Sequence, residues 1–78
     1  MSNPTIHRLI ALAAERFQRD ASNLKPSDDF FEALWIDSLQ ALDLLTDLEE
    51  AFDIEIPDYE LQGMNTFEQL GEVVGRRL

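Results

Sequence analysis

Three stretches of the chain repeat apolar residues at helical spacing. In the first, Ile6, Leu9, Ile10, Ala13 and Phe17 share a stripe while Arg8, Glu15, Arg16 and Arg19 lie off it, the pattern of an amphipathic helix against a core. Ser2-Asn3-Pro4 supplies a start for it, a capping side chain followed by proline at the first helical position. From Leu39 to Phe52, a second stripe runs through Ala41, Leu45, Leu48 and Phe52, widened by Leu42 and Leu44. A third uses Phe67, Leu70, Val73, Val74 and Leu78 behind a Thr66-x-x-Gln69 capping box. Gly71 and Gly75 interrupt that last helix at about 1 kcal/mol each against Ala, unless the missing side chain permits close approach to another helix.

The connections are equally patterned. Residues 20–36 are rich in Asp, Ser, Asn and Pro, and a structureless loop of that length is unusual in so short a chain. Leu24, Phe30, Phe31 and Leu34 are therefore expected to pin it, with a short helical turn over Asp28-Asp29-Phe30-Phe31-Glu32. Pro57 is expected to break the second helix across Asp53-Ile54-Glu55-Ile56, since the residue before proline avoids helical geometry. Asp58 then caps a short helix over Tyr59–Gln62, closed by Gly63. The Ile54/Ile56 alternation has no second strand to pair with. The fold predicted is all-α: a four-helix bundle with three main helices, a short third helix and a long first loop, in one domain spanning residues 1–78.

Composition narrows the chemistry. Seventy-eight residues bury only about 60% of their unfolded surface, which leaves no room for a deep substrate cleft beside a core. There is no cysteine and one histidine, His7, so disulfides, thiol chemistry and a zinc site of ordinary ligation are out of reach. His7 reads as a surface residue, and no motif supports it as a base. The formal net charge is −10, and residues 26–75 contain no Lys or Arg. Such a field repels nucleic acid and anionic lipid and attracts basic protein surfaces. With no membrane-length apolar run and no signal-peptide plan, the expectation is a cytoplasmic monomer without membrane insertion. Because the charge also repels itself, added salt or divalent cations should raise the melting temperature, and an unchanged or lower midpoint would count against this.

One serine stands out. In Leu34-Trp35-Ile36-Asp37-Ser38-Leu39 the irregular approach becomes a helix at Asp37 or Ser38. Either can act as cap, worth about 1 kcal/mol against Ala. If Asp37 takes that duty through an Asp-x-x-Gln box with Gln40, the Ser38 hydroxyl is left at the positive end of the dipole. A phosphate ester there is favoured by roughly 0.3–1 kcal/mol. Along the same helix Asp43, Asp47 and Glu50 repeat at i, i+4 and i+7, where like charges repel by a few tenths of a kcal/mol per pair. Leu39 extends that line toward the helix start, and Glu49 and Glu50 sit near the unfavourable end of the dipole.

The Leu34-x-x-Asp37-Ser38-Leu39 run, the acidic helix ending Leu48-Glu49-Glu50-Ala51-Phe52-Asp53, and Ile56-Pro57-Asp58 together resemble the acyl carrier protein family. The resemblance implies an acyl-carrier-protein-like bundle that is not an enzyme. It further implies a 4′-phosphopantetheine arm joined covalently to Ser38, bearing acyl groups as thioesters for fatty-acid, lipid or polyketide-type biosynthesis. The partners implied are a phosphopantetheinyl transferase and acyl-transfer, ligase or synthase enzymes with basic docking patches. Their docking would fall on Asp37, Leu39, Asp43, Glu49 and Glu50, with Asp47 on the same face. A mobile short helix would gate a cavity bordered by Ile54, Tyr59, Leu61 and Met64.

Many members of that family have glycine and a small residue where this chain has Trp35 and Ile36, so generic fatty-acid-synthesis partners do not follow automatically. These two either pack against the bundle or form an apolar contact for a partner, in which case Trp35 joins the docking set. An aminoacyl, peptidyl or D-alanyl carrier, or an unmodified interaction domain, shares the same pattern. A serine hydrolase lacks its Gly-x-Ser-x-Gly elbow, and no Asp-x-Asp-x-Asp-Gly loop offers a metal site.

Overall fold

The computed structural model describes residues 4–78, so the Ser2-Asn3 cap lies outside the described residues. Four α-helices follow in order: α1 Pro4–Phe17, α2 Phe30–Leu34, α3 Ser38–Phe52 and α4 Phe67–Arg77, with 3-10 turns at Ala21–Asn23 and Asp58–Gly63. This is the expected all-helical bundle, its three main helices being α1, α3 and α4. The short helix expected before Ser38 is α2, and that expected after Pro57 is a 3-10 turn.

One apolar core joins them. Leu9, Ile10 and Ala13 of α1, Ala41, Leu44, Leu45 and Leu48 of α3, and Phe67, Leu70, Val73 and Val74 of α4 are all buried, and Phe30 and Leu34 of α2 complete the centre. Several residues of the expected stripes sit at the edge of this core, Ile6, Phe17 and Leu42 being half-buried against it. Phe52 is half-buried, its ring covered by the Arg8 guanidinium at 4.8 Å, and Leu78 follows the last turn of α4 into solvent.

The long first loop is pinned by backbone as well as by side chains. Phe30 N–H donates to the Asn65 carbonyl at 2.8 Å, Phe67 N–H to Asp28 at 3.2 Å and Glu68 N–H to Pro26 at 2.8 Å, tying the loop to the start of α4. Asp29 caps α2 by accepting from Phe31 and Glu32 N–H. Arg19 reaches back to donate to the Leu34 carbonyl at the far end of α2.

Three helices end on a left-handed residue, and none of these is glycine: Gln18 at φ 55°, Trp35 at 58° and Asp53 at 55°. In each case the next N–H bonds back five residues, Arg19 to Ala14, Ile36 to Phe31 and Ile54 to Glu49, as in a Schellman closure. The left-handed conformation costs an L residue roughly 1–2 kcal/mol. Helix α3 therefore ends at Phe52, the boundary its apolar stripe gave, and what ends it is the left-handed reversal at Asp53, four residues ahead of Pro57. Pro57 in turn sits at the cap position of the 3-10 turn with no side-chain hydrogen bond, so Asp58 is not the cap expected of it. With φ already fixed by its ring, Pro57 starts the turn without such help, and Asp58 stands within the turn.

The two helical glycines of α4 separate cleanly. A Cβ at Gly71 would lie 2.6 Å from Ile6 Cγ1, whereas one at Gly75 would meet nothing within 4 Å. Gly75→Ala should thus stabilise by up to about 1 kcal/mol through helix propensity. Gly71→Ala should destabilise, because an overpacked helix contact costs about 1–3 kcal/mol. Urea midpoints of the two variants moving in the same direction would contradict this.

Candidate functional site

Asp37 resolves the competition for the cap. Its carboxylate accepts from Gln40 N–H at 2.9 Å, while Gln40 Oε1 accepts from Asp37 N–H at 3.1 Å, a complete capping box. Ser38 becomes the first residue of the fifteen-residue α3 and is exposed. Of the N–H groups a helix start leaves open, the box covers those of Asp37 and Gln40, leaving those of Ser38 and Leu39 at the positive end of the dipole.

Beside Ser38 lies an open hollow of about 300 Å³ lined by Phe31, Leu39, Leu42, Asp58, Leu61 and Gln62. Of the four residues expected to border a cavity, Leu61 lines this one. Met64 is buried in the core, Ile54 packs half-buried against it, and Tyr59 is exposed. Leu42 was legible as a neighbour of Ser38, being one turn on along the same helix. Phe31, Asp58 and Gln62 come from elements whose approach no local spacing encodes. His7 borders a different hollow, with Ile10, Ala21, Ser22, Leu24 and Pro26.

Trp35 and Ile36 divide. The reversal at Trp35 turns Ile36 into the core at 9% exposure and leaves Trp35 82% exposed, and Leu39, four residues on, is 74% exposed. On α3, Asp43 and Glu50 are exposed, but two of the acids already have work within the chain. Glu49 accepts from Ile56 N–H at 2.9 Å, holding the segment after α3. Asp47 takes a two-pronged contact from Arg16 of α1, at 2.6 and 2.7 Å.

The hydrogen bond from Arg16 holds the Asp47 carboxyl below the ordinary carboxylate range. Arg16 is raised in turn, chiefly by that bond and the Asp47 charge, with Asp43 and Glu50 adding to it. For a carboxylate depressed in the folded state, the stabilisation is present above the unfolded value of about 3.9 and is lost as pH falls through the folded value. Asp47→Asn should therefore lower the melting temperature at pH 7, by a difference that shrinks as pH drops below about 4. A difference independent of pH would show that packing, not charge, is what the substitution removes.

Arg76 and Arg77 do more than face the end of α4. Both approach Glu60, at 3.7 and 3.2 Å, and tie the 3-10 turn that borders the hollow to the last helix. Opposite charges in the turn and at the helix end were visible in the sequence, but their meeting depends on the bundle.

A small bundle with an exposed serine at a helix start and only open hollows around it is the form of a domain that carries a group for other proteins to act on. A sequence model of the phosphopantetheine attachment site family matches residues 7–74. The chain belongs to that family and is a phosphopantetheine carrier protein, of a family that binds 4′-phosphopantetheine covalently on a serine. Carrier domains of this kind are not themselves catalytic, and they interact in general with transferases and synthases. Among the described residues no helix is long and apolar enough to cross a membrane, and no group of three or more His, Cys, Asp or Glu is placed to hold a metal ion.

Proposed function

We propose that Ser38 is the attachment serine and that the protein carries acyl groups for enzymes of fatty-acid, lipid or polyketide-type biosynthesis. One observation carries the reading: Asp37 and Gln40 close the cap between them, and the Ser38 hydroxyl, exposed, has no hydrogen-bond partner among the described residues. The other serines within the family match are placed differently. Ser22 donates its hydroxyl to Asp20 at 2.7 Å, and Ser27 stands in the turn between Lys25 and Asp28, two residues ahead of the α2 cap rather than within a helix's first turn.

The surroundings of Ser38 suit a phosphodiester arm. The N–H groups of Ser38 and Leu39 face the place where the phosphate would sit, and the helix dipole favours its charge. Phe31, Leu42 and Leu61 give the adjoining hollow an apolar floor, which favours an aliphatic cargo over a charged aminoacyl one. When bound, the arm supplies the terminal thiol on which the cargo is held, and the protein supplies position and recognition. Recognition would fall on Asp37, Leu39, Asp43 and Glu50, with Asp47 and Glu49 adding charge to the same helix while their oxygens hold Arg16 and Ile56. Partner enzymes would meet this face with Lys and Arg.

The test is the intact mass of the protein recovered from its host. An arm plus a fatty or ketoacyl group supports the proposal; an arm bearing an amino acid would move the protein to aminoacyl carriage, and an unmodified chain after incubation with coenzyme A and several phosphopantetheinyl transferases would leave only a docking domain.

A further inference from the structure

Trp35 occupies a backbone position that does not suit it. At φ 58° and ψ 49° it holds the left-handed conformation, which a bulky L residue adopts only when something else compensates. Burial is not the compensation, since the side chain is 82% exposed and the buried place in this reversal belongs to Ile36. Glycine would close α2 without strain. An aromatic side chain held in a strained conformation and kept in water calls for an explanation in what it meets.

Its neighbourhood says what that is. Of the four large apolar side chains that are exposed among the described residues, Trp35, Leu39, Tyr59 and Leu78, two stand close to Ser38 along the chain and a third belongs to the turn that borders its hollow. Trp35 precedes it by three residues, Leu39 follows it, and Tyr59 belongs to the turn whose Asp58, Leu61 and Gln62 border the same hollow. Exposed Asp37 and Asp43 precede and follow Ser38 along this stretch, residues 26–75 supply no cation, and Arg19, the one cation that reaches this stretch among the described contacts, is engaged by the Leu34 carbonyl. A second copy would oppose one acidic rim with another, so the complementary surface is a basic one.

We propose that Trp35 is a specificity anchor: its indole enters an apolar recess on the Lys/Arg-rimmed face of enzymes that act at Ser38, and its bulk turns away enzymes lacking that recess. This rests on Ser38 being the attachment site, Trp35 being the exposed aromatic three residues before it in the chain. The first such enzyme is the one that installs the arm. Central aromatic anchors of this kind carry a large share of binding energy, and their loss acts on affinity.

The probe is the phosphopantetheinyl transferase encoded in the protein's own genome, with coenzyme A, followed by intact mass. Trp35→Gly is expected to raise KM about tenfold with kcat within about twofold, and Trp35→Phe to stay within about threefold of the parent. The melting temperature of Trp35→Gly should be no lower than the parent's; if that variant does not fold, Trp35→Asn, which also tolerates the left-handed region, takes its place. Trp35 is the only tryptophan, so 5-fluorotryptophan gives a single ¹⁹F resonance, expected to shift on saturation with the transferase. A KM unchanged in both variants, or a resonance unmoved in the saturated complex, overturns the anchor while leaving Ser38 in place. A concentration-dependent shift without enzyme assigns the indole to self-association and overturns it too. No mass gain in the parent protein overturns the Ser38 reading, and the anchor with it.

Discussion

Ser38→Ala is expected to abolish the mass gain on incubation with coenzyme A and a phosphopantetheinyl transferase, while Ser22→Ala and Ser27→Ala retain it. The same substitution should leave stability within about 0.5 kcal/mol of the parent, as for a surface change that removes no partner. That second result is the discriminating one. Were Ser38 the cap, its loss would cost about 1 kcal/mol and move the melting temperature by about 4–8 °C in a domain of this size. The cost belongs instead to Asp37→Ala, which removes the carboxylate that accepts from Gln40 N–H and keeps only the arm in which the backbone N–H of residue 37 donates to Gln40 Oε1. A serine with no structural duty and a neighbour that performs it make the two variants opposites: Ser38→Ala loses modification and keeps stability, Asp37→Ala loses stability first. Modification persisting in Ser38→Ala would move the arm to another residue and dissolve the proposed function at this site.

How much of this was readable in the chain depends on how local the determinant is. The stripes of α1, α3 and α4 and the two capping boxes repeat within a few residues, so spacing alone located them. So was the short helix before Ser38, because Asp29 and the paired phenylalanines lie side by side. The reversals at Gln18, Trp35 and Asp53 carried no such signal, since glycine is the usual mark of a left-handed helix end and these three are something else. This hid how Trp35 and Ile36 divide between solvent and core, although the end of α3 at Phe52 was legible from its apolar stripe. The hollow beside Ser38 was half visible: Leu42 follows from helix periodicity, whereas Phe31 arrives from α2 and Gln62 from the 3-10 turn, whose places the bundle decides. The acidic line on α3 was plain, but its partners were not. Arg16 lies 31 positions from Asp47, and a pairing across that separation depends on how α1 and α3 meet. Some of the repulsion along the line is thereby relieved within the chain, leaving Asp43 and Glu50 as the exposed charges on that stripe.

Phe30→Ala is expected to remove about 3–5 kcal/mol of stability, the range for truncating a fully buried aromatic. A chain of 78 residues has roughly 4–12 kcal/mol in all, so this one change should bring the protein close to its unfolding threshold. The ring is completely buried, 4.6 Å from Phe31 and 6.0 Å from Phe67 between centroids, and its backbone N–H anchors the loop to Asn65. Phe30→Leu keeps most of the apolar volume and should cost less than half as much. In a double-mutant cycle, Phe30 and Phe67 should couple by about 0.5–1.5 kcal/mol, because each packs against the other. The consequence reaches the site, since α2 is the support from which the chain turns at Trp35 and enters α3 at Asp37. Amide exchange at residues 29–37 should therefore accelerate in Phe30→Leu before exchange in the centre of α1 does. If the urea midpoint of Phe30→Ala stays near the parent's, the first loop unfolds independently of the bundle, and the placement of Ser38 must be fixed by α3 alone.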